Sequence, residues 1–201
     1  MIAGLEELLV AAANLETTFR RYGWKFCFIG GVAIQRWGDP RFTKDIDLTL
    51  LTGFGGEEKF VDAVLQELDP RRSDAREFAL RSRVLLAQTR GGPETAEVDI
   101  ALGALPFEQR TIERASPWKL RDDVTLTTCS AEDLVVHKTF AGRDLDWGDV
   151  ERVLTRQHGK LDLKLIRSEL KPLLELKGEP EALERLEGKI ATVERRLRMK
   201  T

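Results

Sequence analysis

Two aspartates, Asp45 and Asp47, lie one residue apart inside an otherwise apolar run, and this pair restricts the fold more than any other feature of the sequence. The alternating apolar residues Ile46 and Leu48 predict a strand. Since side chains at i and i+2 point to the same face of a strand, the two carboxylates project together while Ile46 and Leu48 face a core. Neighbouring carboxylates repel each other and are costly to desolvate unless something neutralises them. The pair therefore indicates either a strand with one solvated face or a cation site.

Two further features favour the cation site. Gly30 and Gly31 follow a strand-like apolar run at residues 24–29, where they let backbone N–H groups approach a phosphate. Asp99 is a third acid inside an alternating apolar pattern and could lie beside the first two. Hard oxygen ligands of this kind suit Mg²⁺ or Mn²⁺, which also bind substrate phosphates. The combination predicts a two-metal phosphoryl-transfer site.

The hydrophobic spacing changes its period near Ser130, which divides the chain into two parts. The first part has the following predicted elements: helices over 2–19, 32–37 and 60–68, and strands over 24–29, 46–51, 84–87, 96–102 and 124–128. From Ser130 onwards every pattern is helical, and Ser130 with Asp133 is typical of a capped helix start. We therefore expect an α/β (α+β) fold with a short mixed sheet flanked by helices. The expected domains are a core over 1–129 and a helical region over 130–201 packed on it.

Composition and charge exclude several functional classes. The formal net charge of the 201 residues is -2, so the strongly basic character of many nucleic-acid-binding domains is absent. No run approaches the roughly 18 apolar residues that cross a bilayer. The first residues carry Glu6 and Glu7 and lack the pattern of a secretory signal. We expect a cytoplasmic protein that does not bind a membrane, and composition leaves its oligomeric state open.

The motif around the aspartates resembles that of the DNA polymerase β-type nucleotidyltransferase superfamily. More closely, GGVAIQRWGDPRFTKDIDL is similar to the AbiEii/AbiGii toxin nucleotidyltransferases, which include the MenT-like enzymes. The segment AEDLVVHKTFAGRDLDWGDVERVL resembles the downstream helix motif of that family. Val32 departs from the pattern, because many members of the family have Ser or Thr directly after Gly-Gly.

The resemblance implies roles for the matching residues of the first motif. Asp45, Asp47 and Asp99 would be catalytic and would bind Mg²⁺ or Mn²⁺, with Asp99 also helping to deprotonate the acceptor hydroxyl. Gly30, Gly31, Arg41, Thr43 and Lys44 would bind the nucleotide. Arg41 is equally consistent with a solvated loop charge, and Thr43 with a structural hydrogen bond at the strand entrance.

The downstream motif adds Lys138, Asp146 and Asp149. Lys138 would act with the catalytic residues by reaching the triphosphate as a point charge. Asp146 would contact the nucleotide or orient Lys138, together with Asp149. The alternatives without a functional role are a solvated helical lysine for Lys138 and an N-cap of the next helix for Asp146.

The family resemblance implies an enzyme that moves a nucleoside monophosphate from an NTP to an acceptor hydroxyl and releases pyrophosphate. The implied setting is a bacterial toxin–antitoxin or defence system with a cognate antitoxin. The implied acceptor is a tRNA 3′ end or a protein side chain. Two other functions stay open at this point: a non-catalytic antitoxin or binding module with the same fold, and a nucleotidyltransferase that acts on a small molecule of the aminoglycoside type.

Overall fold

The computed structural model of the protein describes residues 4–90, 95–122 and 124–199. The chain forms two compact units. The first comprises Met1–Val32 and Arg41–Cys129, and the second comprises Ala33–Pro40 and Ser130–Thr201. The chain therefore enters the second unit twice, first for a short segment and then for its last part. The expected domains 1–129 and 130–201 stay a prediction, because compactness alone does not tell which part folds on its own.

The first unit contains a mixed sheet. Among the described residues the sheet has seven strands, which are β1 (Phe26–Phe28), β2 (Asp45–Leu51), β3 (Asp69–Pro70), β4 (Val84–Gln88), β5 (Glu97–Gly103), β6 (Ser116–Lys119) and β7 (Thr125–Thr128). Their order is β3-β4-β5-β2-β1-β7-β6. The pairs β2–β5 and β1–β7 are parallel, and the other neighbours are antiparallel. This mixed sheet with flanking helices confirms the predicted fold class.

The helices of the first unit are α1 (Leu5–Arg21), α3 (Glu57–Glu67), α4 (Ala75–Ser82) and α5 (Pro106–Arg114). The core of the unit forms where α1 buries Leu15 and Phe19 together with the strand residues Leu48 and Ile100. Between β1 and β2 the chain forms α2 (Gly30–Trp37), whose first residues belong to the first unit and whose last residues belong to the second. Helix α2 thus begins almost directly after the last residue of β1.

Two details of the first unit differ from the sequence predictions. Gly30 and Gly31 were expected to form a turn before the helix, but they are the first two residues of α2. Pro70 was expected only to stop a helix, yet Asp69 and Pro70 form the short strand β3 at the edge of the sheet. An edge strand tolerates proline because the missing N–H leaves no interior ladder bond unmade.

The larger part of the second unit is helical, as predicted. Its helices are α6 (Ala131–Ala141), α7 (Asp144–Arg156), α8 (Leu163–Lys177) and α9 (Glu181–Arg198). The expected cap at Ser130 is confirmed, because the Ser130 hydroxyl oxygen accepts a hydrogen bond from the Asp133 N–H at 3.0 Å. The buried Leu186, Ile190 and Val193 of α9 show that its apolar seam packs within the chain. In the part of the chain that is described, no helix is long and apolar enough to cross a membrane.

Candidate functional site

The parallel register of β2 and β5 brings four carboxylates to one face of the sheet. Asp47 lies directly opposite Asp99, and Asp45 lies opposite Glu97. Residues opposite each other on neighbouring strands point to the same face, as do residues two apart on one strand. The structure thus gathers Asp45, Asp47 and Asp99 in one place, as the sequence predicted, and adds Glu97 to them.

The opposite face of the same strands explains why this arrangement is stable. Ile46 and Leu48 on β2 and Val98 and Ile100 on β5 are fully buried in the core. Since strand side chains alternate, burying these four apolar residues forces the acidic residues between them outwards. The hydrophobic core therefore fixes the position of the carboxylates, although it does not neutralise them.

The two glycines lie against the neighbouring chain segment so closely that no side chain fits. A Cβ at Gly30 would overlap the carboxylate of Asp47 and stand 2.7 Å from its Cβ, and Gly30 has a φ of 53°. A Cβ at Gly31 would overlap the hydroxyl of Thr43 and stand 2.8 Å from its Cβ. Close approach and a positive φ are the conditions that require glycine. Gly30 and Gly31 thus bring the start of α2 into contact with β2.

The N-terminus of α2 contacts the Asp47 carboxylate through a backbone donor. The Gly31 N–H donates a hydrogen bond to Asp47 Oδ2 at 3.2 Å. A helix N-terminus favours negative charge, so it stabilises an ionised Asp47 and suits a phosphate close by. Val32, at the position where a hydroxyl was expected, is fully buried in the core. Its side chain supports the helix start from the core side.

Arg71 belongs to the same site, and the sequence reasoning missed it. Its guanidinium contacts the carboxylates of both Asp99 and Glu97, and its side chain is only 20% exposed. Adjacent arginines such as Arg71 and Arg72 are usually solvated surface charges, but Arg71 is not. Arg72 does lie at the surface, where it pairs with Asp74. No local signal placed Arg71 at the sheet, because its carboxylate partners lie on β5, far along the chain.

The electrostatics of Asp99 reflect this crowding of charges. Burial raises the pKa of the Asp99 carboxyl, and the Arg71 guanidinium opposes that rise. The neighbouring Asp47, Asp45 and Glu97 carboxylates raise its pKa further, so the net result lies above the usual value. Like charges at close range therefore cost energy here, which is typical of a site built for a cation or for proton transfer.

The loop before β2 carries the other predicted nucleotide-binding residues. Thr43 is buried, and its hydroxyl donates to the backbone oxygen of Asp45 at 3.4 Å, which fits the structural alternative at the strand entrance. Arg41 donates from its guanidinium to the carbonyl of Phe42 at 2.9 Å, and Lys44 is exposed. Thr43 and Lys44 line a cleft of about 240 Å³ that also reaches Glu97. The cleft therefore meets the acidic face of the sheet at Glu97.

The second unit holds a separate buried charge cluster. Lys138 on α6 donates to Asp146 at 2.9 Å and lies 3.0 Å from a carboxylate oxygen of Asp149, both on α7. The Lys138 side chain is 8% exposed and the two aspartate side chains at most 1%. Arg143 and Arg152 add a cation to Asp146 and to Asp149, respectively. The alternative of a solvated Lys138 is therefore wrong.

Asp146 is not the N-cap of α7, which corrects the other alternative. It lies three residues after the cap residue Arg143, whose N–H donates to the Asp146 carboxylate at 3.3 Å. Burial opposes ionisation of Asp146, but hydrogen bonds from Arg143 and Lys138 outweigh it and hold its pKa below the usual value. An ionised Asp146 therefore ties α6 to the start of α7.

The fit of a metal ion can be judged from the donors present. Among the described residues, no three His, Cys, Asp or Glu side chains are grouped so that they could hold a metal as they stand. The carboxylates of Asp45, Asp47 and Asp99 nevertheless share one face, and oxygen is the donor that Mg²⁺ and Mn²⁺ prefer. Asp99 is engaged by Arg71 instead. The chemistry of the donor set fits a divalent cation once Asp99 turns from Arg71.

Comparisons with known proteins identify the family and the fold of the chain. A family model described as nucleotidyl transferase AbiEii toxin, type IV toxin–antitoxin system, matches residues 15–199. An antigenic nucleotidyltransferase-like protein from Paracoccidioides brasiliensis has a similar structure, with a TM-score of 0.53 at 16% identity over 92% of this chain and 94% of that chain. JHP933 from Helicobacter pylori gives 0.47 at 14% identity over 96% and 92% of the two chains.

A further solved structure, that of the antibiotic-resistance factor ANT(2'')-Ia, gives a TM-score of 0.40 at 15% identity, covering 97% of this chain and 92% of that chain. No curated protein sequence matches the chain at a significant level. Identities this low relate the folds alone, so the structure from Paracoccidioides brasiliensis supports the architecture of the sheet and helices and not a substrate.

Proposed function

Since the chain belongs to the AbiEii family of nucleotidyltransferase toxins, we propose that it moves a nucleoside monophosphate from an NTP onto an acceptor hydroxyl of RNA or protein. Family membership confirms the family named from the motifs and the prediction of an enzyme, and it speaks against a non-catalytic module. It also places the enzyme in a toxin–antitoxin setting, which implies a cognate antitoxin. The nucleotide, the acceptor and the metal are the parts that we propose.

One observation carries the proposal: the register that sets Asp47 opposite Asp99, with Asp45 on the same face. In the proposed reaction Asp45, Asp47 and Asp99 hold Mg²⁺ or Mn²⁺. The bound cation would neutralise charge on the triphosphate and polarise the α-phosphate. The start of α2 at Gly30 and Gly31 orients the phosphates through its N–H groups and its positive end.

Asp99 takes the role of general base. The acceptor oxygen attacks the α-phosphorus, the bond from that phosphorus to the oxygen bridging to the β-phosphorus breaks, and pyrophosphate leaves. The proton of the acceptor hydroxyl passes to a carboxylate oxygen of Asp99. A carboxyl whose pKa is raised by burial and by its acidic neighbours is a stronger base than an exposed aspartate, which supports this assignment.

We assign Arg41, Thr43 and Lys44, in the segment before β2, to nucleotide binding; Thr43 and Lys44 line the cleft there. In the second unit, Lys138 is a proposed catalytic residue that would contact the triphosphate, and Asp146 is a proposed nucleotide-binding residue. Two of the three donor hydrogens of the Lys138 ammonium are used by Asp146 and Asp149, and the described residues give it no third acceptor. A phosphate oxygen could take that place without breaking the buried cluster.

The test is transfer of label from each α-³²P-NTP in the presence of Mg²⁺ or EDTA, with total tRNA and with bacterial lysate. Wild-type protein should label RNA or protein only with Mg²⁺. Asp47→Asn should reduce the rate about a hundredfold or more, because it removes charge at the point where phosphate charge develops. Asp62→Asn is the matched control, since Asp62 is a surface aspartate of α3 that pairs with Arg76. Labelling that is unchanged in Asp47→Asn would contradict the assignment.

The destination of the label decides the acceptor. Label in RNA supports a tRNA 3′ end, and label in protein supports a side-chain hydroxyl. Label in neither, with NTP consumed and pyrophosphate released when small hydroxyl compounds are added, assigns the enzyme to the small-molecule class instead. Circular dichroism of each variant controls for folding.

A further inference from the structure

Arg71 lies at the carboxylate site without having a part in the reaction described above. Its terminal nitrogens contact Asp99 and Glu97, which lie two residues apart on the same face of β5. Its Nε is buried and has no hydrogen-bond partner among the described residues. A guanidinium buried to this extent is costly unless strong partners hold it, so Arg71 depends on these two carboxylates.

The backbone of Arg71 is hydrogen-bonded to β4 and not to β5, so the contact with Asp99 is made by the side chain. The Arg71 N–H donates to the carbonyl of Leu86 on β4 at 3.1 Å. Leu86 is the register partner of Asp99 on the next strand. The side chain of Arg71 therefore reaches across β4 to β5. Such a long, rotatable side chain can leave Asp99 while its backbone stays anchored at the sheet edge.

Arg71 and a divalent cation would compete electrostatically for the Asp99 carboxylate. The Arg71 guanidinium contacts Asp99 Oδ1, and Asp99 lies beside Asp47 in the proposed metal site. A divalent cation bound to Asp99 and Asp47 would lie beside the Arg71 guanidinium, and the two positive charges would repel each other.

We propose that Arg71 is a positioning residue that occupies Asp99 in the metal-free protein and is displaced from it when the divalent cation binds. The inference rests on the proposed function, because it takes Asp99 to be a metal ligand. The Arg71 guanidinium and the metal ion each weaken the binding of the other to Asp99, so Arg71 determines the metal affinity of the site. After the Arg71 guanidinium leaves Asp99, Glu97 remains as its partner.

The first experiment measures Mn²⁺ binding without nucleotide, by electron paramagnetic resonance of free Mn²⁺. Arg71→Gln should bind Mn²⁺ roughly five- to tenfold more tightly than wild type, the lower end of the usual coupling between two competing ligands. Arg71→Lys keeps the charge and should restore affinity to near the wild-type value. Arg72→Gln is the matched control, since Arg72 pairs with Asp74 at the surface, and it should bind as wild type does.

The second experiment uses wild-type protein and so does not depend on the folding of a variant. The Arg71 Nε–H resonance, identified by its absence from the spectrum of Arg71→Lys, should move as Mg²⁺ is added to saturation. In Asp47→Asn, which lacks one proposed ligand, the same titration should leave the resonance nearly unmoved.

The outcomes separate this inference from the proposed function. If wild type binds Mn²⁺, Asp47→Asn does not, and Arg71→Gln binds with equal or lower affinity than wild type, the inference is wrong and the metal site stands. If the Arg71 resonance of wild type does not move at saturating Mg²⁺, the inference is likewise wrong and the metal site stands. If wild type binds no Mn²⁺ with or without NTP, both the metal site and the displacement of Arg71 are wrong.

Discussion

Gly31 touches Thr43 in a way that leaves no room for a methyl group, so this single residue sets the distance between α2 and the segment that enters β2. We expect Gly31→Ala to destabilise the protein by about 1–3 kcal/mol, the usual cost of overpacking a tight contact. Replacing Thr43 by Ser in the same chain should recover little, because the Thr43 Cβ itself is in the way. Thr43→Gly should recover more. Urea unfolding of wild type, Gly31→Ala, Thr43→Gly and the double variant measures the coupling free energy between the two positions.

Gly188 supplies the control for that experiment. It lies inside α9, and a Cβ built there meets nothing within 4 Å. Gly188→Ala should therefore stabilise the protein by roughly 0.5–1 kcal/mol, the ordinary difference in helix propensity. A Gly31→Ala variant as stable as Gly188→Ala would show that the close contact with Thr43 is not maintained in solution.

At the same scale, the sequence identified the acidic residues but not their counter-charge. Asp45 and Asp47 could be predicted because alternation along one strand decides which face a side chain takes. Asp99 could be proposed for the same reason, but its place opposite Asp47 depends on strand register. Arg71 could not be assigned, because its partners lie on another strand and a pair of adjacent arginines has no periodicity of its own. Charges that meet through tertiary contacts leave no local pattern.

Helices α6 and α7 are tied together by the buried cluster around Asp146, and this tie should depend on pH. The folded-state pKa of Asp146 lies below its unfolded value, so its ionised form favours folding. That contribution is fully present above the unfolded pKa of about 4 and is lost as the pH falls through the folded pKa. Asp146→Asn should therefore cost roughly 2 kcal/mol at pH 7, as removal of a charged hydrogen-bond partner does.

The measurement is urea unfolding between pH 7 and pH 3. The difference in unfolding free energy between wild type and Asp146→Asn should shrink as the pH falls below about 4. Asp144→Asn is the control in the first turn of the same helix, because the Asp144 side chain is fully exposed, and it should show no such trend. If the difference in unfolding free energy stays constant across this range, the cluster does not lower the pKa of Asp146.

The elements themselves were predictable to different degrees. Strands β2 and β5 and helix α6 follow from alternation or from a cap that the sequence displays, and their observed bounds agree within a residue or two. The short strands β3 and β6 were missed, since each contains a proline, which argues against a strand in the sequence. Helices α4 and α5 were missed as well, because each shows few buried residues over eight or nine positions.

At the scale of the whole molecule, the two units share the chain in an interleaved way. The segment Ala33–Pro40 belongs to the second unit although it precedes most of the first. Within that unit Gln157 donates to the carbonyl of Trp37 at 3.0 Å, and Arg156 contacts the carbonyl of Gly38. No pattern in the sequence links residues so far apart, so the expected boundary near residue 130 did not include this segment.

This sharing predicts the behaviour of a fragment that ends at residue 129. The fragment keeps the whole sheet but loses the partners of the segment 33–40, where Ile34 is fully buried in the intact chain. We expect it to bind a dye for exposed apolar surface and to unfold at a denaturant concentration well below that of the full chain. Adding residues 130–201 as a separate chain should reverse both effects.

The control is a fragment of the same length with Ile34 and Trp37 replaced by Gln and Lys, which should bind less dye. A 1–129 fragment that unfolds cooperatively at the midpoint of the full chain would show that the first unit is an independent domain. That result would support the domain boundary expected from the sequence.

The order in which a ribosome makes the chain gives the interleaving a consequence for the cell. Residues 33–40 emerge early, directly after the glycines that shape the start of α2, and their partners in α7 emerge only after the entire sheet has been made. A nascent chain would thus carry the carboxylates of the site long before this helix is secured at its far end. A chain whose synthesis stops before residue 156 should therefore lack the contacts that Arg156 and Gln157 make with the segment 33–40.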